Sequence, residues 1–291
     1  MESSIITTLF LPFALGVIML GLGLSLRVDD FKRVVRYPKA MLVGLGCQML
    51  LLPLACVAIA TAFSLPPELA VGLVLLAASP GGATANLFSH LARGDVALNV
   101  SLTAVNSLLS LFTMPFLVNL AMAHFVGREQ LLPLQFDKVI QVFAIVLVPV
   151  VIGMLIRGKA SATAARLEKP VRILSAIFLI LVILAAMTQE RGNLGGYIEQ
   201  VGLAALTFNL VSMMVGYFVP LLARLPKRQA VAIGMEIGVH NGTLAIAIAS
   251  SPMLLNNTAM AIPAAVYSVI MFFTAAGFGW IVTRPGGGSL A

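Results

Sequence analysis

Nine apolar runs, joined by short loops, constrain the fold of this chain more than any other feature. A helix of about 20 apolar residues crosses the roughly 30 Å hydrocarbon core of a membrane. Only 10% of the residues are charged, whereas a soluble domain has about 25%. The sequence therefore predicts an all-α integral membrane protein of about nine transmembrane helices, with one transmembrane domain over residues 1–291. The runs cover residues 5–26, 39–63, 69–91, 97–123, 139–156, 171–189, 198–222, 230–250 and 259–283.

Positively charged residues alternate between the two sides of this predicted domain. Of the 18 Lys and Arg residues, all but Arg128, Lys138 and Arg191 follow an odd-numbered run. Because cytoplasmic loops are enriched in Lys and Arg, we expect an outside N-terminus and a cytoplasmic C-terminus. The net charge of +7 then reflects membrane topology, so the expected surroundings are membrane lipid and no nucleic acid partner is predicted.

One carboxylate lies inside an apolar run. Glu236 begins the string Glu-Ile-Gly-Val-His-Asn-Gly, which ends at Gly242. A charge at the centre of a membrane-spanning helix costs about 2.5–3.5 kcal/mol on insertion scales. A bound cation is the simplest compensation, so we interpret Glu236 as part of a cation site.

Two runs contain helix-breaking residues near their middle. Residues 79–82 read Ser-Pro-Gly-Gly, and the Glu236–Gly242 string carries two glycines. Proline removes a backbone donor and glycine weakens a helix. Because bare backbone at membrane depth must be packed in protein or line a cavity, we expect two discontinuous helices.

The two breaks occupy matching positions, in the next-to-last run of each half. If the second half (residues 138–283) is a five-helix repeat, the first half (residues 1–126) is the same repeat without its first helix. Five is an odd number, so the repeats would be inverted. Interrupted helices in inverted halves are typical of secondary transporters. The alternative, that the glycines only permit close helix packing, is weakened by the matching break and by Glu236.

Run 97–123 carries a polar stripe, because its polar residues recur at helical spacing. Hydrogen bonding between helices is the simpler interpretation of the stripe as a whole, and also of Gln48 in the second run. We interpret Asn99 and Thr103, close to the first break, as cation ligands. The stripe consists of Asn99, Thr103, Asn106, Ser107 and Ser110.

Oxygen ligands of this kind suit a hard cation such as Na⁺. The half-helices that follow the breaks present positive N-terminal ends, which suit an anionic group. Residue chemistry therefore predicts a cation-coupled transporter of a small organic anion, with Na⁺ as the coupling ion and no organic cofactor.

Three strings resemble those of the bile acid:sodium symporter family, and the resemblance covers nearly the whole chain. They span residues 80–86, 91–98 and 236–242. The resemblance implies two inverted five-helix repeats, a panel domain, and a core domain in which the two broken helices cross. This chain would begin at the family's second helix, which gives nine spans.

The resemblance also implies two Na⁺ sites. At the first site, Asn99 replaces a Ser but keeps an oxygen, and Ala85 replaces another Ser and offers only its carbonyl. At the second, His240 replaces a Gln, and imidazole is a poor Na⁺ ligand that can carry a proton. We therefore expect one secure Na⁺ and a weakened or proton-modulated second site. The first set is Asn86, Asn99, Thr103, Glu236 and Ala85; the second is Gln48, Glu236, Ile237, Val239 and His240.

The family's substrate cavity lies beside the helix crossing and opens toward the cytoplasm. Carried over to this chain, it would be lined by Ala83, Thr84, His240, Asn241 and Gly242. Family members carry bile acids, pantoate, keto acids or sulfated steroids, and this short chain favours a small carboxylate. We expect a monomer in a bacterial inner membrane.

Two other functions remain open: a proton-coupled exporter of organic or metalloid anions, and a membrane sensor that has lost transport. A membrane enzyme is disfavoured, because the sequence has no GxSxG or HExxH motif and no paired intramembrane carboxylates.

Overall fold

The computed structural model describes residues 5–127, 136–189, 194–251 and 254–284, and within them the protein is all-α. Arg128 and Arg191, two of the charges used to predict topology, lie outside the described residues. The helices are α1 (Ile5–Ser25), α2 (Val28–Lys32), α3 (Pro38–Gly46), α4 (Leu52–Ala62), α5 (Pro67–Ala78), α6 (Ala83–Leu91), α7 (Val96–Phe125), α8 (Phe136–Lys159), α9 (Ser161–Gln189), α10 (Leu194–Leu222), α11 (Lys227–Gly238), α12 (Gly242–Ser250) and α13 (Ile262–Thr283).

Four helices in the described residues are long and apolar enough to cross a membrane. They are Pro38–Ala62, which joins α3 to α4 through a π-helical turn, and Val96–Phe125, Glu199–Leu222 and Ala259–Thr283. The all-α integral membrane architecture is thereby confirmed. The count of nine spans and the division into repeats stay predictions.

Both predicted helix breaks are present. The chain leaves helical conformation between α5 and α6, at residues 79–82, and between α11 and α12, at residues 239–241. The second break begins later than the sequence indicated, because Glu236 and Ile237 are still within α11. Glu236 therefore lies within the last turn of α11, two residues before the helix ends.

The α1 and α8 helices approach each other closely through glycine. A side chain at Gly153 would lie 2.6 Å from the Leu20 carbonyl oxygen, and one at Gly23 would overlap the backbone of Val150. Small residues allow such backbone-to-backbone packing between membrane helices. The α9 helix packs against both α1 and α8, so these three helices form one group. Two of them, α1 and α9, also contact α12. The second broken helix thus lies where this group meets the other helices.

Candidate functional site

The two helix breaks contact each other. The Asn241 N–H donates to the carbonyl oxygen of Pro80 at 2.8 Å, and Gly81 and His240 form an isolated antiparallel bridge. Backbone groups buried away from water need partners. The unwound segments supply partners to each other, which explains how non-helical backbone is tolerated inside an otherwise helical protein.

Glu236 is completely buried. It lies beside this contact between the two helix breaks, which we call the crossing. The Thr103 hydroxyl donates to its Oε2 at 2.6 Å, across 133 residues of sequence. Gly81 faces the same carboxylate, and a Cβ at this position would lie only 2.5 Å from Cδ and both carboxylate oxygens of Glu236. The structure therefore brings the predicted ligands Thr103 and Glu236 together and packs the first break directly against them.

Buried oxygen atoms without a hydrogen-bond donor occur on α6, α7 and α11, the helices that meet near Glu236. In the described part of the chain, Glu236 Oε1, Asn99 Oδ1 and Asn86 Oδ1 are buried and lack a hydrogen-bond partner. The Asn99 amide nitrogen donates to the Ala232 carbonyl at 2.7 Å, which anchors Asn99 to α11 one turn before Glu236. Asn86 and the buried Ala85 lie on α6, which packs against α11. Because buried polar atoms normally have partners, this set of acceptors has the chemistry of a cation site.

The polar stripe of α7 is buried along its whole length. Its first two members contact α11 as described, whereas Ser110 donates to the Ser107 carbonyl on its own helix at 2.8 Å. Ser107 and Ser110 line a small, mainly apolar cavity between α1, α7 and α8. The stripe therefore combines candidate ion ligands at one end with helix-packing residues at the other.

Gln48 and His240 meet at the carbonyl group of Ser79, where the first break begins. The Gln48 amide donates to the carbonyls of Ala77 at 2.9 Å and Ser79 at 3.1 Å, while its Oε1 is buried without a donor. His240 Nδ1 lies 3.1 Å from the same Ser79 oxygen. Since a carbonyl only accepts, we assign the ring hydrogen to Nδ1.

Sequence reasoning missed two residues that hold the second break. The Asn209 amide and the Tyr267 hydroxyl both donate to the Gly238 carbonyl, each at 2.9 Å. Gly238 lies between Ile237 and Val239, which are both buried. The Asn209 amide thus donates to a backbone carbonyl at the second break, as the Gln48 amide does at the first. Its signal in the sequence was a lone amide in the middle of an otherwise apolar run.

An open cleft of about 220 Å³ lies beside the crossing. Its walls come from α1, α9, α13 and the starts of α6 and α12. The Asn241 side chain caps α12, because its Oδ1 accepts from the Leu244 N–H at 3.0 Å. Ala83 begins α6, but its side chain lies outside the described residues. The predicted substrate residues that line the cleft are Thr84, His240, Asn241 and Gly242.

The sequence matches the profile of the Sodium Bile acid symporter family over residues 12–196. It is 29% identical, over 89% of its length, to a Bacillus subtilis (strain 168) protein named Uncharacterized sodium-dependent transporter YocS, and spans 78% of that protein. It is 26% identical, over 88% of its length, to the Probable sodium/metabolite cotransporter BASS1, chloroplastic, of Arabidopsis thaliana, and spans 62% of it. It is also 29% identical, over 78% of its length, to the human P3 protein, and spans 47% of it.

Proposed function

We propose that this chain, which belongs to the sodium bile acid symporter family, is a sodium-coupled symporter of a small organic anion and not an enzyme. The observation that carries the proposal is the buried Glu236 at the crossing of two broken helices, bonded to the Thr103 hydroxyl at one carboxylate oxygen and without a partner at the other. The names of its relatives from Bacillus and Arabidopsis point to sodium coupling as well.

The first Na⁺ would bind among oxygen atoms of Glu236, Asn99, Thr103 and Asn86, with the Ala85 carbonyl as a further ligand. A cation would give partners to the three buried acceptors that lack donors and would offset the cost of a carboxylate at membrane depth. Because these residues belong to α6, α7 and α11, bound Na⁺ would tie both broken helices to α7.

A second Na⁺ would bind near Gln48, whose Oε1 is a free buried acceptor, together with Glu236 and the carbonyls of Ile237 and Val239. The His240 Nδ1–H faces the Ser79 carbonyl, so this nitrogen offers a hydrogen and no lone pair to a cation. The lone pair on Nε2, which is buried without a partner, belongs to an imidazole, and Na⁺ prefers oxygen ligands. The imidazole plane is also fixed, because it stacks on Phe208 with ring centroids 5.8 Å apart. We therefore assign one coupling Na⁺ to this protein and a weakened second site.

The substrate anion would bind in the cleft beside the crossing. The starts of α6 and α12 both lie there, and helix N-termini attract anions through their free N–H groups and dipoles. Thr84 and Asn241 add polar side chains to the same wall. A carboxylate such as pantoate or a keto acid fits this chemistry, and a bile-acid-like anion is the second substrate class.

Transport would proceed by alternating access, as the core moves against the panel. In this proposal α1, α8 and α9 form the panel, residues 1–126 and 138–283 form the inverted repeats, and the cleft opens to the cytoplasm. The protein would be a monomer in a bacterial inner membrane, with its N-terminus outside. Bound Na⁺ would order the crossing and so raise the affinity for the anion. Because such coupling is reciprocal, the bound anion must also raise the affinity for Na⁺.

Purified protein in proteoliposomes tests the proposal, with radiolabelled pantoate and a short 2-oxo acid as probes. We expect accumulation driven by an inward Na⁺ gradient and lost in Glu236→Gln. Accumulation or efflux that follows a pH gradient without Na⁺ would instead identify a proton-coupled transporter. Binding of a probe without counterflow would identify a sensor.

A further inference from the structure

The cleft beside the crossing has an unexpected charge for a site that binds anions. Among its lining residues in the described part of the chain, Glu168 is the one with a full charge, and no Lys or Arg contributes to the lining. Glu168 belongs to the second turn of α9, whereas the candidate anion-binding groups belong to α6 and α12. The substrate therefore faces partial positive charge from one set of helices and a carboxylate from another.

Arg157 forms an ion pair with this carboxylate. Its Nη1 lies 3.6 Å from Glu168 Oε2, and the two side chains are 15% and 27% exposed. Arg157 lies near the end of α8 and is not part of the cleft lining. The ion pair thus presents its carboxylate to the cleft, while its guanidinium group lies outside the cleft lining.

This arrangement discriminates between anions by what they carry at the end remote from the bound carboxylate. A second carboxylate would be repelled by Glu168, because like charges disfavour each other in a partly buried site. A hydroxyl group would donate a hydrogen bond to the Glu168 oxygens, and hydrogen bonds to an ionised acceptor are the stronger ones. Ser25, Thr243 and Ser268 also line the cleft, so its walls remain suited to a polar substrate.

We propose that Glu168 determines substrate specificity: the cleft takes a monocarboxylate that bears a hydrogen-bond donor at its far end, and rejects dicarboxylates. This inference rests on the proposed function, since it assumes that an organic anion binds at the crossing.

The test measures the affinities of purified protein, in saturating Na⁺, for butyrate, 4-hydroxybutyrate and succinate by ligand-induced thermal stabilisation. Wild-type protein should bind 4-hydroxybutyrate most tightly and succinate most weakly. In Glu168→Gln the affinity for succinate relative to butyrate should rise at least about tenfold, because even two like charges roughly 10 Å apart repel by this amount at an effective dielectric constant of about 20, and closer approach to Glu168 adds to it.

Arg157→Gln is the matched control, because it breaks the same ion pair but leaves the carboxylate in the cleft. It should keep or strengthen the rejection of succinate. An unchanged succinate-to-butyrate ratio in Glu168→Gln, or the same change in both variants, would overturn the inference and leave the ion pair a structural link between α8 and α9. Glu168→Ser replaces Glu168→Gln if the latter does not fold. If no carboxylate, pantoate included, stabilises wild-type protein in Na⁺, the proposed function fails, and this inference fails with it.

Discussion

Substitution of Gly81 by Ala is the sharpest perturbation of the candidate ion site. The added Cβ would lie 2.5 Å from Cδ and both oxygens of Glu236, whereas ordinary contacts between heavy atoms are about 3.5–4.0 Å. The carboxylate must therefore move by about 1 Å. The φ angle of Gly81 is not positive, so alanine meets no backbone strain, and the three atoms nearest to its Cβ all belong to Glu236.

The expected magnitude follows from the cost of overpacking, which is about 1–3 kcal/mol. In the Na⁺-free protein the carboxylate can shift away from the new methyl group, but with Na⁺ bound it must remain in place. The strain therefore appears as lost Na⁺ affinity, about 5- to 140-fold. The dependence of Tm on Na⁺ concentration, measured at constant ionic strength with K⁺ as the balancing cation, reports this affinity.

Gly82→Ala is the matched control for this prediction. It changes the neighbouring residue of the same break, yet a Cβ at Gly82 would meet nothing within 4 Å. We expect Gly82→Ala to keep the Na⁺ dependence of wild-type protein. If Gly81→Ala also kept it, the reasoning that places Na⁺ at the Glu236 carboxylate beside Gly81 would be refuted.

Two further substitutions test the surroundings of the crossing. His240→Gln replaces an Nδ1–H by an amide that can turn its oxygen to a cation, so the Hill coefficient for Na⁺ should rise from near one toward two; an unchanged coefficient would contradict the assignment of the weakened site. Asn209→Ala removes one of two donors to the buried Gly238 carbonyl and should lower stability by about 1–3 kcal/mol. In a double-mutant cycle with Tyr267→Phe the losses should not add, and simple additivity would contradict a shared role.

The sequence predicted the helix breaks well, because proline and glycine leave a local signature. It also predicted Thr103 and Glu236 as ligands of one site, although 133 residues separate them. Their hydrogen bond confirms that they are neighbours, and their role in binding Na⁺ remains a proposal. The signal for Glu236 was a charge at membrane depth, and its assignment with Thr103 to one site came from the resemblance to the symporter family.

Other features were beyond the reach of sequence reasoning because they depend on how distant helices pack. The fit of Gly81 against the Glu236 carboxylate cannot be read from the local string, in which glycine is explained by helix breaking alone. Asn209 was missed because a lone amide in an apolar run is indistinguishable from a packing residue until its partner is known. Glu168 lies beside Lys169 and Pro170 in a loop-like stretch of sequence, and nothing local shows that α9 brings it to the cleft.

Direct binding of radioactive ²²Na⁺ to the purified protein tests the central claim most directly, with Glu236→Gln measured alongside. The account predicts saturable binding of close to one Na⁺ per wild-type chain, unaffected by K⁺ at equal ionic strength, and no specific binding in the variant. Equal ²²Na⁺ binding by Glu236→Gln and wild-type protein, or no binding by wild-type protein, would contradict it.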